Sequence, residues 1–211
     1  MFPHHEAEIT QMESISGKAP LAKYWIHTGF LTINGQKMSK SLNNGITIDD
    51  FLKRYSASQL RFWIAKNLWS SPIDYSESVM IEVASAMEKI EEFLRKIKVI
   101  KATKGTGAKH LLANAKENFY KELDDDFNTP KAFAVLFEFI KEANKLLDAN
   151  SIGKKEAGNI YAFFKEIDKI FGIIDFKKLT KSNIPTEVKK LVALRERHRK
   201  SSEWQKADEV R

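Results

Sequence analysis

The chain has 211 residues, 43% of them apolar and 11% aromatic, enough to bury one large core or two small ones and too apolar for a disordered chain. It has no cysteine, so it can supply neither a disulfide nor a thiolate, and no apolar run approaches the ~20 residues needed to span a bilayer. The opening Met1 to Glu6 lacks a secretion signal, which makes a cytoplasmic protein the default expectation, and the net charge of +7 permits a polyanionic partner without requiring one.

Residues 1 to about 75 mix helical and extended signals. Pro3 suits the first turn of a helix, which places His4 and Glu8, four apart, on one face. Leu21 to His27 is apolar and aromatic and suits a buried strand. Phe30 to Ile33 follows, then Asn34-Gly35, a type I′ turn signal because both positions tolerate positive φ. Thr47 with Asp50 reads as a capping box opening one helix, and another starts after Ser56.

From Ser76 onward the period is helical. Val79, Val83, Met87, Ile90, Phe93, Leu94, Ile97 and Ile100 recur at three- and four-residue steps, which predicts an amphipathic core helix of about seven turns. Lys101 to Lys109 reads as a loop. Further helices are predicted over 108–123, from Pro130 through Leu147, and over 154–171. Residues 175–185 read as a linker, followed by a basic helix near Thr186 and another near Ser202. The last stretch is helical with no stop signal, so a chain cut within a helix is expected.

The sharpest motif is Lys37-Met38-Ser39-Lys40-Ser41, a short, doubly cationic loop set between the Asn34-Gly35 turn and a helix. Two lysines three apart, with hydroxyls between them, can approach a triphosphate from one side and stabilise charge moving onto pyrophosphate. Isolated Lys-x-x-Lys pairs are mostly solvated loops, but this pentapeptide arises by chance in only about one chain of this size in 10⁴. His4 and Glu8 form the second constellation. At this spacing an imidazole nitrogen and a carboxylate oxygen can share a metal ion, zinc being the natural candidate, although such pairs are more often plain surface pairs.

The pentapeptide resembles the KMSKS signature of class I aminoacyl-tRNA synthetases, in which the loop closes over ATP. The resemblance assigns the catalytic role to Lys40 with Lys37 in support, and ATP binding to Lys37, Met38, Ser39, Lys40 and Ser41. Phe2-Pro3-His4-His5-Glu6-Ala7-Glu8 resembles the zinc-binding helix of cysteine–tRNA ligases. It implies that His4 and Glu8 supply two of four zinc ligands, the other two being upstream cysteines absent from this chain. Ala7 stands where that family usually has asparagine. Tyr24 to Gly29, Asp74 to Ser76, Asp124 to Pro130 and Arg195 to Arg211 extend the resemblance over nearly the whole chain. The run Asp124 to Pro130 is read as a helix entry, not a site.

The fold implied is an α/β remnant of a Rossmann-type catalytic domain followed by a mainly α-helical bundle. Its expected divisions are 1–75 (end of the catalytic domain), 76–178 (bundle) and 179–211 (start of an anticodon-binding region). The implied reaction joins cysteine to ATP, with magnesium, as cysteinyl-adenylate and passes the cysteinyl group to its tRNA. Zinc would select thiolate over hydroxyl. The family's His-Ile-Gly-His motif is absent, so the chain alone is expected to be inactive. Lys181 to Arg211 carries nine Lys/Arg against five Asp/Glu; Arg195, Arg197, Arg199, Lys200 and His198 could face phosphates, and Trp204 is expected to pack between helices. Two other readings stay open: a ligase using cysteinyl-adenylate on a small amine, like the mycothiol ligase, and a non-catalytic tRNA-binding remnant.

Overall fold

In a computed structural model the described residues are 3–39, 41–101, 105, 107–180, 186–201 and 203–209. Helix α1 (His4–Ser16) ends at Gly17 in the left-handed region, φ 64°, and buries none of its side chains. Pro3 takes the cap position rather than the first turn. Strands β1 (Leu31–Ile33) and β2 (Gln36–Lys37) form an antiparallel hairpin, with Thr32 opposite Lys37 and Ile33 opposite Gln36. Its turn residues Asn34 and Gly35 both have positive φ, 51° and 77°, as a type I′ turn requires.

Helices α2 (Ile48–Arg54) and α3 (Ala57–Ala65) follow. Thr47 accepts the Asp50 N–H, but the Asp50 carboxylate accepts the Thr47 hydroxyl at 2.7 Å, so the expected box closes on the side chain. Ser56 and Gln59 make the full reciprocal box for α3. Strand β3 (Ile73–Tyr75) then pairs parallel with β1, giving the order β2-β1-β3. The gap between β1 and β3 holds α2 and α3, the crossover that parallel pairing needs. Phe51, Trp63 and Tyr75 fill the space beneath, with Phe51 stacked on Trp63 at 5.9 Å and the Trp63 indole N–H donated to the Asp74 carbonyl.

Four long helices make the bundle. Helix α4 (Glu77–Lys98), capped by the Ser76 hydroxyl, spans about six turns. Of its predicted stripe Val83, Met87, Ile90, Phe93, Leu94 and Ile97 are buried; Met80 takes the buried place expected of Val79, which is half-buried, and Ile100 lies beyond the helix end. Helices α5 (Lys109–Asp124) and α6 (Thr129–Asp148) form a hairpin, and α7 (Lys154–Phe171) packs on α4. Phenylalanines from every long helix meet in the core: Phe93 faces Phe139 at 6.0 Å, and Phe119 faces Phe163 edge-on at 5.7 Å.

Glu156 is buried in this core yet satisfied, accepting the N–H groups of Ala108 and Gly153 at the starts of α5 and α7. The α5–α6 turn needs two consecutive left-handed residues, Asp126 and Phe127, before Asn128 caps α6. This agrees with the structural reading of that run.

Three expectations are corrected. Leu21 to His27 form no strand, and Tyr24, Trp25 and Ile26 are exposed, because among the described residues no neighbouring strand pairs with them. The start of the expected 175–185 linker is core: Leu179, in a 3₁₀ turn (Lys178–Thr180), is 6% exposed. Helices α8 (Thr186–Lys200) and α9 (Trp204–Glu209) pack on each other, and Trp204 is exposed rather than packed.

Candidate functional site

The signature loop leaves the sheet at β2. The Met38 N–H still reaches the Leu31 carbonyl at 3.0 Å, extending the hairpin ladder by one step. Asn44 then spans the loop from both sides: its Oδ1 accepts the Ser39 N–H at 3.0 Å, and its Nδ2 donates to the Lys37 carbonyl at 3.3 Å. The Ser39 hydroxyl accepts the Leu42 N–H at 3.3 Å and lies 3.2 Å from the Ser41 hydroxyl. A single amide thus fixes the chain between two cationic positions. Lys40 lies outside the described residues. The Lys37 ammonium sits 3.9 Å from the centroid of the Phe30 ring, a cation–π contact that parks its charge at the surface.

The hairpin beneath the loop is anchored by Asp74 on β3. Its carboxylate accepts the Thr32 hydroxyl at 2.6 Å and the Gly35 N–H at 2.8 Å. These bonds favour the ionised form, and with the Thr32 hydroxyl as the larger cause they hold the Asp74 carboxyl below its usual range. Neither Asn44 nor Asp74 was singled out from sequence as a site residue. An Asn five residues past a loop's start is a weak Asx signal, and Asp74 becomes legible only once β1 and β3 pair.

Behind the hairpin, Tyr55 donates its hydroxyl to Glu77 at 2.6 Å, which raises the Tyr55 pKa and lowers that of Glu77. Arg54 pairs with the same carboxylate. This cluster ties the end of α2 to the start of α4, and so fixes the hairpin's support to the bundle.

On α1, His4 and Glu8 are both exposed and lie one turn apart. Among the described residues, no group of three or more His, Asp or Glu is placed to hold a metal ion. An imidazole and a carboxylate one helical turn apart are two of the four donors a tetrahedral zinc ion takes, and among the described residues no third stands with them. Its neighbour His5 is engaged differently. The His5 ring stacks on Trp25 at 5.3 Å and on His27 at 5.1 Å, fixing α1 against the segment that leads to the hairpin. That contact was missed because His5 was read only as part of the helix motif.

At the basic end, His198 and Glu203 join α8 to α9 at 2.6 Å, and Arg199 lies 3.9 Å from Glu196. Arg197 is exposed, and the Lys200 side chain lies outside the described residues. Among the described residues no helix is long and apolar enough to cross a membrane.

Known proteins are similar in sequence along the whole chain. The family of tRNA synthetases class I (C) catalytic domains matches residues 1–85, and the DALR domain family matches residues 118–175. A cysteine–tRNA ligase of Thermodesulfovibrio yellowstonii is 38% identical over 100% of this chain and 47% of its own length. That of Methanococcus maripaludis is 37% identical over 100% of this chain and 46% of its own. The chain belongs to the cysteine–tRNA ligase family. It spans about half the length of the curated relatives it matches. Among solved structures, the Agrobacterium radiobacter K84 agnB2 LeuRS-tRNA-LeuAMS ternary complex aligns with a TM-score of 0.58 at 16% identity, over 77% of this chain and 23% of that one. That likeness concerns fold alone: a class I synthetase catalytic portion joined to a helical domain.

Proposed function

We propose that this chain serves the ATP-dependent attachment of cysteine to its tRNA, as the part of a cysteine–tRNA ligase that carries the signature loop. The observation that carries this reading is the Asn44-bridged loop at the hairpin exit, in a chain similar along its whole length to cysteine–tRNA ligases. In the reaction a carboxylate oxygen of cysteine attacks the α-phosphorus of ATP, and the bond to the β-phosphate oxygen breaks as pyrophosphate leaves. Lys40 and Lys37 neutralise the charge that builds on the leaving group, and Met38, Ser39 and Ser41 shape the loop that encloses it. Lys37 would leave the Phe30 face to do so.

His4 and Glu8 would hold zinc jointly with two donors from outside this chain. Bound there, zinc supplies a soft Lewis acid that distinguishes a thiolate from a hydroxyl. The proposed division of labour follows 1–75 for activation, 76–178 for the helical scaffold and 179–211 for the approach to tRNA. The basic helix α8 suits a phosphate backbone, and a cytoplasmic setting suits the substrates. The reading is tested by joining the chain to the catalytic portion it lacks and measuring cysteine-dependent ATP–pyrophosphate exchange and tRNA charging. Charging of an amino-sugar in place of tRNA would favour the small-amine ligase instead.

A further inference from the structure

Helices α4 and α6 enclose an open cleft of about 440 Å³ between them. Helix α4 lines it with Lys89, Phe93 and Lys96, spaced four and three residues apart and so on one face. Helix α6 answers with Phe137, Ile140, Lys141 and Asn144 in the same kind of spacing. Phe93 and Ile140 are buried and Phe137 is half-buried, which makes the floor apolar, while the three lysines stand exposed at the rim. None of these residues belongs to the signature loop, its hairpin or α1.

The polar groups around this floor are mostly donors. Lys96 pairs with Glu92 at 2.9 Å and Lys141 with Glu138 at 3.0 Å, both exposed pairs that contribute little and exchange easily. Lys89 has no ion-pair partner among the described residues. On the lining itself three ammonium groups face a single carboxylate, that of Glu92. Asn144 adds an amide. Its Oδ1 is buried without a hydrogen-bond partner, which leaves the Nδ2 end to serve the cleft. A buried acceptor left unbonded destabilises a fold, so a carboxamide kept in that position asks for a role beyond packing.

Size and chemistry select the occupant. The volume falls in the range of roughly 300–1,000 Å³ typical of small-molecule sites. From Ala86 to Lys96 the helix rises only about 15 Å, too short for the roughly 800 Å² per partner that a stable protein interface takes. A nucleic-acid backbone would meet the ammonium groups but leave the phenylalanine floor uncovered.

We propose that the α4–α6 cleft binds a small organic anion. Its aromatic or aliphatic body covers Phe93, Phe137 and Ile140, and its carboxylate or phosphate accepts from Lys89, Lys141 and the Asn144 Nδ2. The site stands apart from the proposed function and holds whether or not that reading does.

The test titrates the full chain with 2-naphthoate and with 2-naphthyl phosphate by calorimetry, and locates the site from the Asn144 side-chain amide resonance. The tighter of the two identifies the acidic group. Neutral 2-naphthamide, which keeps the body and lacks the charge, should bind at least tenfold more weakly. Inorganic phosphate and acetate, which lack the body, should show no saturation. Lys89→Gln with Lys141→Gln, both at exposed positions, should leave the melting temperature unchanged and weaken the anion about tenfold. Asn144→Leu removes the unbonded acceptor, so it should raise the melting temperature while weakening the anion several-fold; a lower melting temperature with unchanged binding would mean that Asn144 only packs. The chain joined to its catalytic portion should bind the anion equally well. Equal affinity for 2-naphthamide, an unmoved Asn144 resonance, or loss of binding in the joined enzyme would overturn the proposal. So would displacement by tRNA of a probe that binds regardless of charge, which would assign the lysines to a phosphate backbone.

Discussion

The Arg61 Nε–H is donated to the Phe171 carbonyl at 2.6 Å, across 110 residues of sequence. It links α3, which supports the sheet, to the last turn of α7 in the bundle. Gly172 makes the bond possible: its φ of 62° ends α7, and a Cβ there would meet Arg61 Nε at 2.9 Å. Asp168 reinforces the same turn by accepting the Ile173 and Ile174 N–H groups, both at 2.7 Å.

Arg61→Ala should therefore destabilise the chain by about 1.5–3 kcal/mol, the range for a charge-assisted hydrogen bond. Gly172→Ala should cost about as much, through left-handed strain and displacement of the guanidinium. Urea unfolding followed by far-UV circular dichroism checks both. Because both changes act on one bond, the double variant should lose less than the two effects added together.

Asp74 gives a pH dependence with a defined sign. Its folded pKa lies below the unfolded value of about 3.9, so its contribution is fully present above that value and is lost as pH falls through the folded one. The stability difference between the wild type and Asp74→Ala should be constant from about pH 5 to 7 and shrink below about pH 4. Thermal unfolding across that range measures it.

Asn44→Ala removes both bonds across the signature loop while leaving the hairpin intact. In the joined enzyme it should lower kcat for cysteine activation by about tenfold, with cysteine KM little changed. Asn44→Asp, which can still accept from the Ser39 N–H, should recover part of the loss. Pyrophosphate-exchange kinetics on the three proteins decide it.

His4→Ala and Glu8→Ala should each lower the zinc content of the joined enzyme, measured by elemental analysis. The selectivity for cysteine over serine should fall with it. Helical content should not change, since α1 buries no side chain.

Much of the fold was legible because the bundle helices carry a strong apolar period and explicit caps. Ser76 and Asn128 mark the starts of α4 and α6, and Asn34-Gly35 marked the hairpin. Tyr24 to Thr28 misled because a strand's composition is local, whereas its hydrogen bonds depend on a neighbour. The burial of Leu179 was masked by polar neighbours. In the site, the lysines were legible as a motif, but Asn44, Asp74 and the His5 stack depend on contacts between elements that sequence spacing does not display.

The most direct measurement is cysteine-dependent ATP–pyrophosphate exchange in the polypeptide that joins this chain to the missing catalytic portion. The joined enzyme should exchange, Lys40→Ala should reduce kcat by about 10²–10³-fold, and the chain alone should be silent. Robust exchange by the chain alone, or a joined enzyme indifferent to Lys40→Ala, would contradict the account.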